Sequence, residues 1–265
     1  MFGKKLVIFL FFTALCSHSM EASYADFLQF AEKKQVQENE PVLKILYAEF
    51  LDNLSPSDQP FLTAIGGSPG AGKTTFRKQM LKLENVHLHD MDEVMIRLPS
   101  YQKDYAVLGA KKAFEKWWPS ARELAQLLVQ YAIQSKYNII YDRTCGAEGS
   151  YDDLLMAKSL GYRIHLIGLY VDKGVAKYRT LKREREEGRS MTEEILIEYR
   201  CRFSALWPYY LAIVDEASLY ETSTEKPILI FSSKKGLFDL ETYQQFLQDG
   251  EPFYDFFSKK LPAHR

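Results

Sequence analysis

The residues Gly67-Ser68-Pro69-Gly70-Ala71-Gly72-Lys73-Thr74 satisfy the phosphate-binding pattern G-x-x-x-x-G-K-[ST]. Glycines admit the positive-φ turns that let successive backbone N–H groups face phosphate oxygens, and a helix beginning here adds a favourable partial charge. Lys73 is placed to reach the outer phosphates of a nucleoside triphosphate, and the Thr74 hydroxyl to ligate Mg2+. Residues 67–75, ending at Thr75, are therefore the expected nucleotide-binding segment. An apolar stretch over 61–65 reads as the buried strand leading in, and 73–83 as the helix leading out.

Three further groups follow apolar runs, where an α/β sheet gathers its ligand-binding residues. Asp90-Met91-Asp92 comes first. A carboxylate beside a bound γ-phosphate can take the proton of an attacking hydroxyl, and Asp92 is the preferred base. It reads equally as the N-cap of the next helix. Asp90 reads as a structural neighbour. Asp142-Arg143-Thr144 comes next, and an aspartate after an apolar run is where a phosphate-loop protein holds Mg2+ or its water. Then comes the run from Arg179 to Arg189. Arg179 and Arg183 are four apart and share a helix face, and lid arginines supply positive charge to a phosphoryl transition state. Gly188 offers a joint for such a lid. A solvated charged helix is the competing reading. His87 and His89 alternate on one strand face with no evident third ligand, and Trp117-Trp118-Pro119 reads as packing.

Elements at fixed places must position these groups. Helical periodicity covers 24–35 and 41–54, and Pro56 and Pro60 then break the chain. Strands are expected at 61–65, 86–89, 138–141 and 163–171, with one or two more at 218–221 and 227–231. Helices alternate with them at 73–83, 93–98, 111–118, 120–135, 151–159, 173–187, 192–203 and 206–214, and one closes the chain at 237–247. Pro119 should interrupt or restart its stretch, and Thr192 should cap its helix. Alternation of this kind makes an α/β protein with a central parallel sheet covered on both faces. Four segments are expected: a signal-like stretch at 1–22, a helical extension at 23–60, the phosphate-loop domain at 61–235, and a C-terminal helical extension at 236–265.

Composition narrows the class. Of 265 residues, 34 are basic and 35 acidic, so no global charge argues for DNA or an anionic membrane as a partner. Lys4-Lys5, an apolar run over 6–16 and Ser17-His18-Ser19 match a secretory signal, with cleavage near Ser19 or Ala22. The run is short for a membrane span, so no stable span is expected after cleavage. Cys16 would leave with that segment, and Cys145 and Cys201 read as unpaired structural residues.

Taken in order, four blocks resemble the zeta-toxin family of phosphate-loop kinases: Gly66 to Thr75, Asp90-Met91-Asp92 with Arg97-Leu98-Pro99-Ser100-Tyr101, Asn138-Ile139-Ile140-Tyr141-Asp142-Arg143-Thr144, and the arginine-rich lid. The resemblance spans roughly residues 61–222. It implies the P-loop kinase fold with strand order 2-3-1-4-5, and ATP and Mg2+ as cofactors. It also implies phosphoryl transfer to a small-molecule hydroxyl acceptor, a nucleotide sugar such as UDP-N-acetylglucosamine. By position Asp92 matches the catalytic base, Lys73 the phosphate-loop lysine, Arg183 and Arg189 the lid arginines, and Thr144 a substrate-site threonine. Asp142 falls where the toxins carry a substrate-binding glutamate, one methylene longer. The resemblance further implies an antitoxin or regulatory partner, a role the helices at 24–54 would fill in cis if the chain carried its own. An exported kinase would need an ATP-containing compartment. A kinase on a polynucleotide 5′-hydroxyl, nucleoside or antibiotic, and a non-catalytic ATP-binding module, are the alternatives.

Overall fold

The computed structural model describes residues 23–36, 38–81, 84–187 and 191–261. The signal-like stretch, Gly188 and the expected lid residue Arg189 lie outside the described residues.

Two helices precede the sheet, α1 (Tyr24–Lys33) and α2 (Glu40–Phe50). Ser23 and Asp26 cap α1 reciprocally, and Asn39 caps α2 ahead of Pro41. Their apolar faces bury Phe27, Leu43 and Leu46 in the main core, where the Phe27 ring meets Tyr131 edge-on at 5.2 Å. The Tyr131 hydroxyl donates to the Ser23 carbonyl at 3.2 Å.

The chain continues as β1 (Phe61–Gly67), α3 (Lys73–Met80), β2 (His87–His89), α4 (Met91–Arg97), α5 (Pro99–Leu108), α6 (Ala110–Gln134), β3 (Ile139–Asp142) and α7 (Glu148–Ser159). It then runs through β4 (Arg163–Tyr170), α8 (Lys173–Glu187), α9 (Glu193–Ile213), β5 (Glu216–Glu221), β6 (Ile228–Ser232), β7 (Gly236–Leu237), α10 (Leu240–Gln248) and α11 (Glu251–Ser258). α1 packs against α6, and α2 against α4.

The sheet order is β2-β3-β1-β4-β5-β6-β7. The first five strands are parallel and keep the expected order 2-3-1-4-5, and β6 and β7 extend the sheet antiparallel beyond it. β1 lies between β3 and β4, with Ile65 paired to Asp142 and Gly67 to Leu169. The phosphate loop thus leaves the sheet where the strand order reverses, at the carboxyl edge.

Four stretches differ from the sequence reading. Pro119 lies inside α6 and Pro208 inside α9, and both helices run on without a break. A proline inside a helix costs about 3 kcal/mol. Buried side chains on both sides of each proline, Ala113 and Leu124 in α6 and Phe203 and Ile213 in α9, outweigh that cost. α5 was unforeseen; Pro99 begins it at the first helical position, where no N–H is needed. Beyond α10 the chain makes one more helix, α11, which packs on α9 through Phe257 and its aromatic neighbours.

Candidate active site

The loop between β1 and α3 is held from three sides. Gly70 and Gly72 take φ values of 78° and 82°, and a Cβ on Gly70 would come within 2.6 Å of the Ala176 carbonyl oxygen. Glycine at 70 therefore lets α8 close onto the loop. The buried Thr222 hydroxyl lies 2.9 Å from the Ala71 and Tyr170 carbonyl oxygens. The Gly67 N–H donates to the Thr144 carbonyl oxygen at 3.1 Å, tying the loop to the segment after β3. Arg179 Nη1 donates to the Gly70 carbonyl oxygen at 3.3 Å, and its Nη2 to that of Ser223 at 3.4 Å. Lys73 Nζ curls over the loop and donates to the Gly67 and Ser68 carbonyl oxygens at 3.0 and 3.1 Å. Burial pulls its pKa down, opposed mainly by the Asp142 carboxylate. Thr74 is exposed on the first turn of α3.

Behind the loop lies an ion network that the sequence reading did not anticipate. Arg77, 2 % exposed, directs Nε to Asp142 Oδ2 at 3.0 Å and Nη2 to Asp90 Oδ2 at 3.2 Å. Arg77 stands one helical turn beyond Lys73, so the two share a face of α3, and that spacing was the available clue. Asp142 was expected on Mg2+ or on the sugar. The structure gives one of its oxygens to Arg77 and leaves the residue buried.

Asp90 caps α4, its Oδ1 accepting from the Asp92 N–H at 3.0 Å. The cap reading of Asp92 thereby passes to Asp90. Asp92 sits in the first turn of α4, where Arg183 Nη2 of α8 reaches its Oδ2 at 3.0 Å, and Arg183 Nε holds Glu187 at 2.9 Å. Burial, then the Asp142 and Asp92 charges, push Asp90 up to about 7 against the pull of Arg77. Burial raises Asp142 against Lys73 and Arg77, and raises Asp92 against Arg183, Lys73 and Arg143. Mutually repelling carboxylates near the phosphate loop form an environment a divalent cation would relieve. Among the described residues no three His, Cys, Asp or Glu side chains are placed to hold a metal by themselves.

The opposite face of the β3 end is built differently. Side chains alternate along a strand, so Tyr141 and Arg143 point away from the Asp142 side. The Tyr141 hydroxyl donates to Asp153 Oδ2 at 2.8 Å, and Gln126 Nε2 to Asp153 Oδ1 at 2.7 Å. Arg143 Nη1 lies 3.1 Å from His89 Nε2. Burial holds His89 well below its usual pKa and His87 at about 4, so both rings are neutral at pH 7. Tyr141 and Arg143 line a cavity of about 810 Å3 together with α6, the segment after α1 and the start of α7. Arg143 was passed over between two singled-out residues. Thr144, which was singled out, is half-buried beside it.

The root of α8 is fixed from the far end of the chain. Asp249, between α10 and α11, accepts from buried Arg200 Nε at 2.6 Å and from the Tyr170 hydroxyl at 3.0 Å. Lys173 Nζ, on the first residue of α8, is 3.3 Å from the other Asp249 oxygen. Cys145 and Cys201 are free, and burial pushes the Cys145 thiol up to about 12. Among the described residues no helix is long and apolar enough to cross a membrane.

Comparison with known proteins is consistent with this geometry. The zeta toxin family profile matches residues 47–206. Among solved structures, a chain from the PezAT chromosomal toxin–antitoxin system of Streptococcus pneumoniae superposes with a TM-score of 0.59 at 19% identity, covering 84% of this chain and 99% of that one. An AvrRxo1-ORF1:-ORF2 structure with ATP superposes with a TM-score of 0.53 at 13% identity, covering 91% and 73%. At such identities these likenesses show the fold. No curated protein matches in sequence.

Proposed function

The chain belongs to the zeta-toxin family of P-loop kinases, and from the geometry of its site we propose that it transfers the γ-phosphate of ATP to a hydroxyl of a nucleotide sugar of the UDP-N-acetylglucosamine kind. The observation that carries this reading is the contact from α8 to α4. Arg183 reaches Asp92 at 3.0 Å across 91 residues of sequence, while the positive charges of Lys73 and Arg143 also act on Asp92.

The residues divide the work. Backbone N–H groups of the loop between β1 and α3 cradle the phosphates, and Lys73 exchanges its loop carbonyl partners for phosphate oxygens. Asp92 accepts the proton of the attacking hydroxyl. Burial raises its pKa toward that of a better base, opposed by the charges of Arg183, Lys73 and Arg143. Arg183 pairs with Asp92 from the lid side and is positioned to follow charge as it builds on the γ-phosphate. Arg189, from its place in the same lid run, is the second arginine of this reading. Thr74 and Asp142 would hold Mg2+, which when bound would neutralise charge on the transferring phosphate. Thr144 and the cavity lined by Arg143 face the acceptor. A separate antitoxin-like protein belongs to the same reading, because the PezAT structure comes from a toxin–antitoxin system.

The test is incubation of purified protein with γ-labelled ATP and a panel of UDP-sugars, nucleosides and oligonucleotides. Label is expected on a UDP-sugar, and Asp92→Asn should lower kcat by about 10²–10⁴-fold while ATP still binds. Label on oligonucleotides alone removes the sugar reading. ATP binding without transfer to any acceptor favours a non-catalytic module, and full activity in Asp92→Asn removes the base.

A further inference from the structure

The cavity of about 810 Å3 beside β3 has a wall from outside the family-matched segment. That wall is Lys34, Gln35 and Val36, the turn that ends α1, and α6 faces it with Trp118, Arg122 and Gln126. The size is that of a site for a nucleotide-sized molecule.

Its charge is one-sided. Lys34, Arg122 and Arg143 line it against a single carboxylate, Glu123, in a chain whose net charge is −1. Among the described residues neither Lys34 nor Arg122 has an ion-pair partner. Each instead lies over an aromatic ring of its own helix. Lys34 Nζ is 5.5 Å from the Phe30 centroid, and the Arg122 guanidinium carbon is 5.6 Å from that of Trp118. Such contacts orient a cation without neutralising it. Arg143 faces a histidine held neutral by burial, and the carboxylates its charge acts on, Asp153 and Asp92, are not among the cavity's lining residues. Meanwhile Gln126 is fixed by Asp153, which gives the cavity a rigid polar floor.

Resting on the kinase reading above, we propose that Lys34 and Arg122 are specificity-determining residues of the acceptor site. They select an acceptor that carries phosphate charge apart from its reacting hydroxyl, and α1 is a wall of that site rather than an inhibitor folded over the nucleotide. Two cations from different elements that line one cavity can hold a diphosphate between them. Tyr131 and Phe27 lock α1 onto α6, so the spacing of the two cations is set by the core.

The experiment uses the full chain with the phosphate loop filled by a non-hydrolysable ATP analogue and Mg2+, so that added phosphates must bind elsewhere. UDP-N-acetylglucosamine, UDP and N-acetylglucosamine are titrated by calorimetry into wild type, the pair Lys34→Glu/Arg122→Glu, and the pair Lys34→Arg/Arg122→Lys. Wild type should bind the two diphosphates and not the free sugar, more weakly as salt rises. The charge reversal should weaken diphosphate binding at least tenfold, with the analogue's affinity and the melting temperature unchanged, and the conservative pair should restore most of it. Equal affinity in the reversed pair overturns the proposal. So does failure of wild type to bind either diphosphate, or binding of the free sugar as tightly as UDP-N-acetylglucosamine. Lys73→Ala separates the two readings, because loss of analogue binding there leaves the phosphate-loop assignment standing whatever the acceptor probes do.

Discussion

The two faces of the β3 end carry similar residue types and use them in opposite ways. On the α3 side, Asp142, Arg77 and Asp90 close on one another, and two carboxylates share one buried cation. On the α6 side, Arg143 opens into a cavity with Arg122 and Lys34, and the last two have no ion-pair partner among the described residues. A buried pair left with one partner is strongly destabilising, so the closed face is committed to holding the loop and α4 in place. An open cationic face does little for stability and is available to a ligand.

The contrast can be broken most severely at Arg77. Arg77→Leu leaves Asp90 and Asp142 buried without their cation and should cost about 3–5 kcal/mol in urea unfolding. Adding Asp142→Asn should return part of that loss, and no return would mean that Arg77 acts mainly through packing. On the other face Tyr141→Phe removes a hydroxyl from buried Asp153, and about 1–3 kcal/mol should be lost, with ATP affinity unchanged. Arg143→Ala should leave stability near wild type and raise the acceptor KM about tenfold, equivalent to about 1.4 kcal/mol. A fall in stability comparable to Arg77→Leu would erase the distinction between the faces.

A further effect concerns pH. His87 and His89 are buried neutral behind the open face, with His87 lowered to about 4 from 6.5. Such a group contributes stability fully above pH 6.5 and loses it as pH falls toward 4, because the unfolded chain then binds a proton that the folded one refuses. Asp90 works the other way. Raised to about 7, it favours the fold at low pH and loses that contribution as pH rises from about 4 to 7. His87→Leu should therefore flatten the acid side of a melting-temperature profile between pH 6.5 and 4. Asp90→Asn should flatten the opposing slope up to pH 7.

Much of this was legible without coordinates. The G-x-x-x-x-G-K-T run, the alternation of strands and helices, the placing of Asp92 and Asp142 after strands and that of Arg183 on the helix after β4 are local patterns, and local patterns report directly on backbone geometry. The proline errors had a tertiary cause, since core packing on both flanks carried α6 and α9 through Pro119 and Pro208.

By itself the sequence determined that a nucleotide phosphate loop opens a parallel sheet and that Asp92 and Asp142 follow its strands. Only the tertiary structure decided how those groups are partnered. Asp142 meets Arg77 across 65 residues, Arg183 meets Asp92 across 91, and a turn at Lys34 closes a cavity begun by Arg143. Those pairings depend on how helices lie on a twisted sheet, a long-range property that no window of residues encodes.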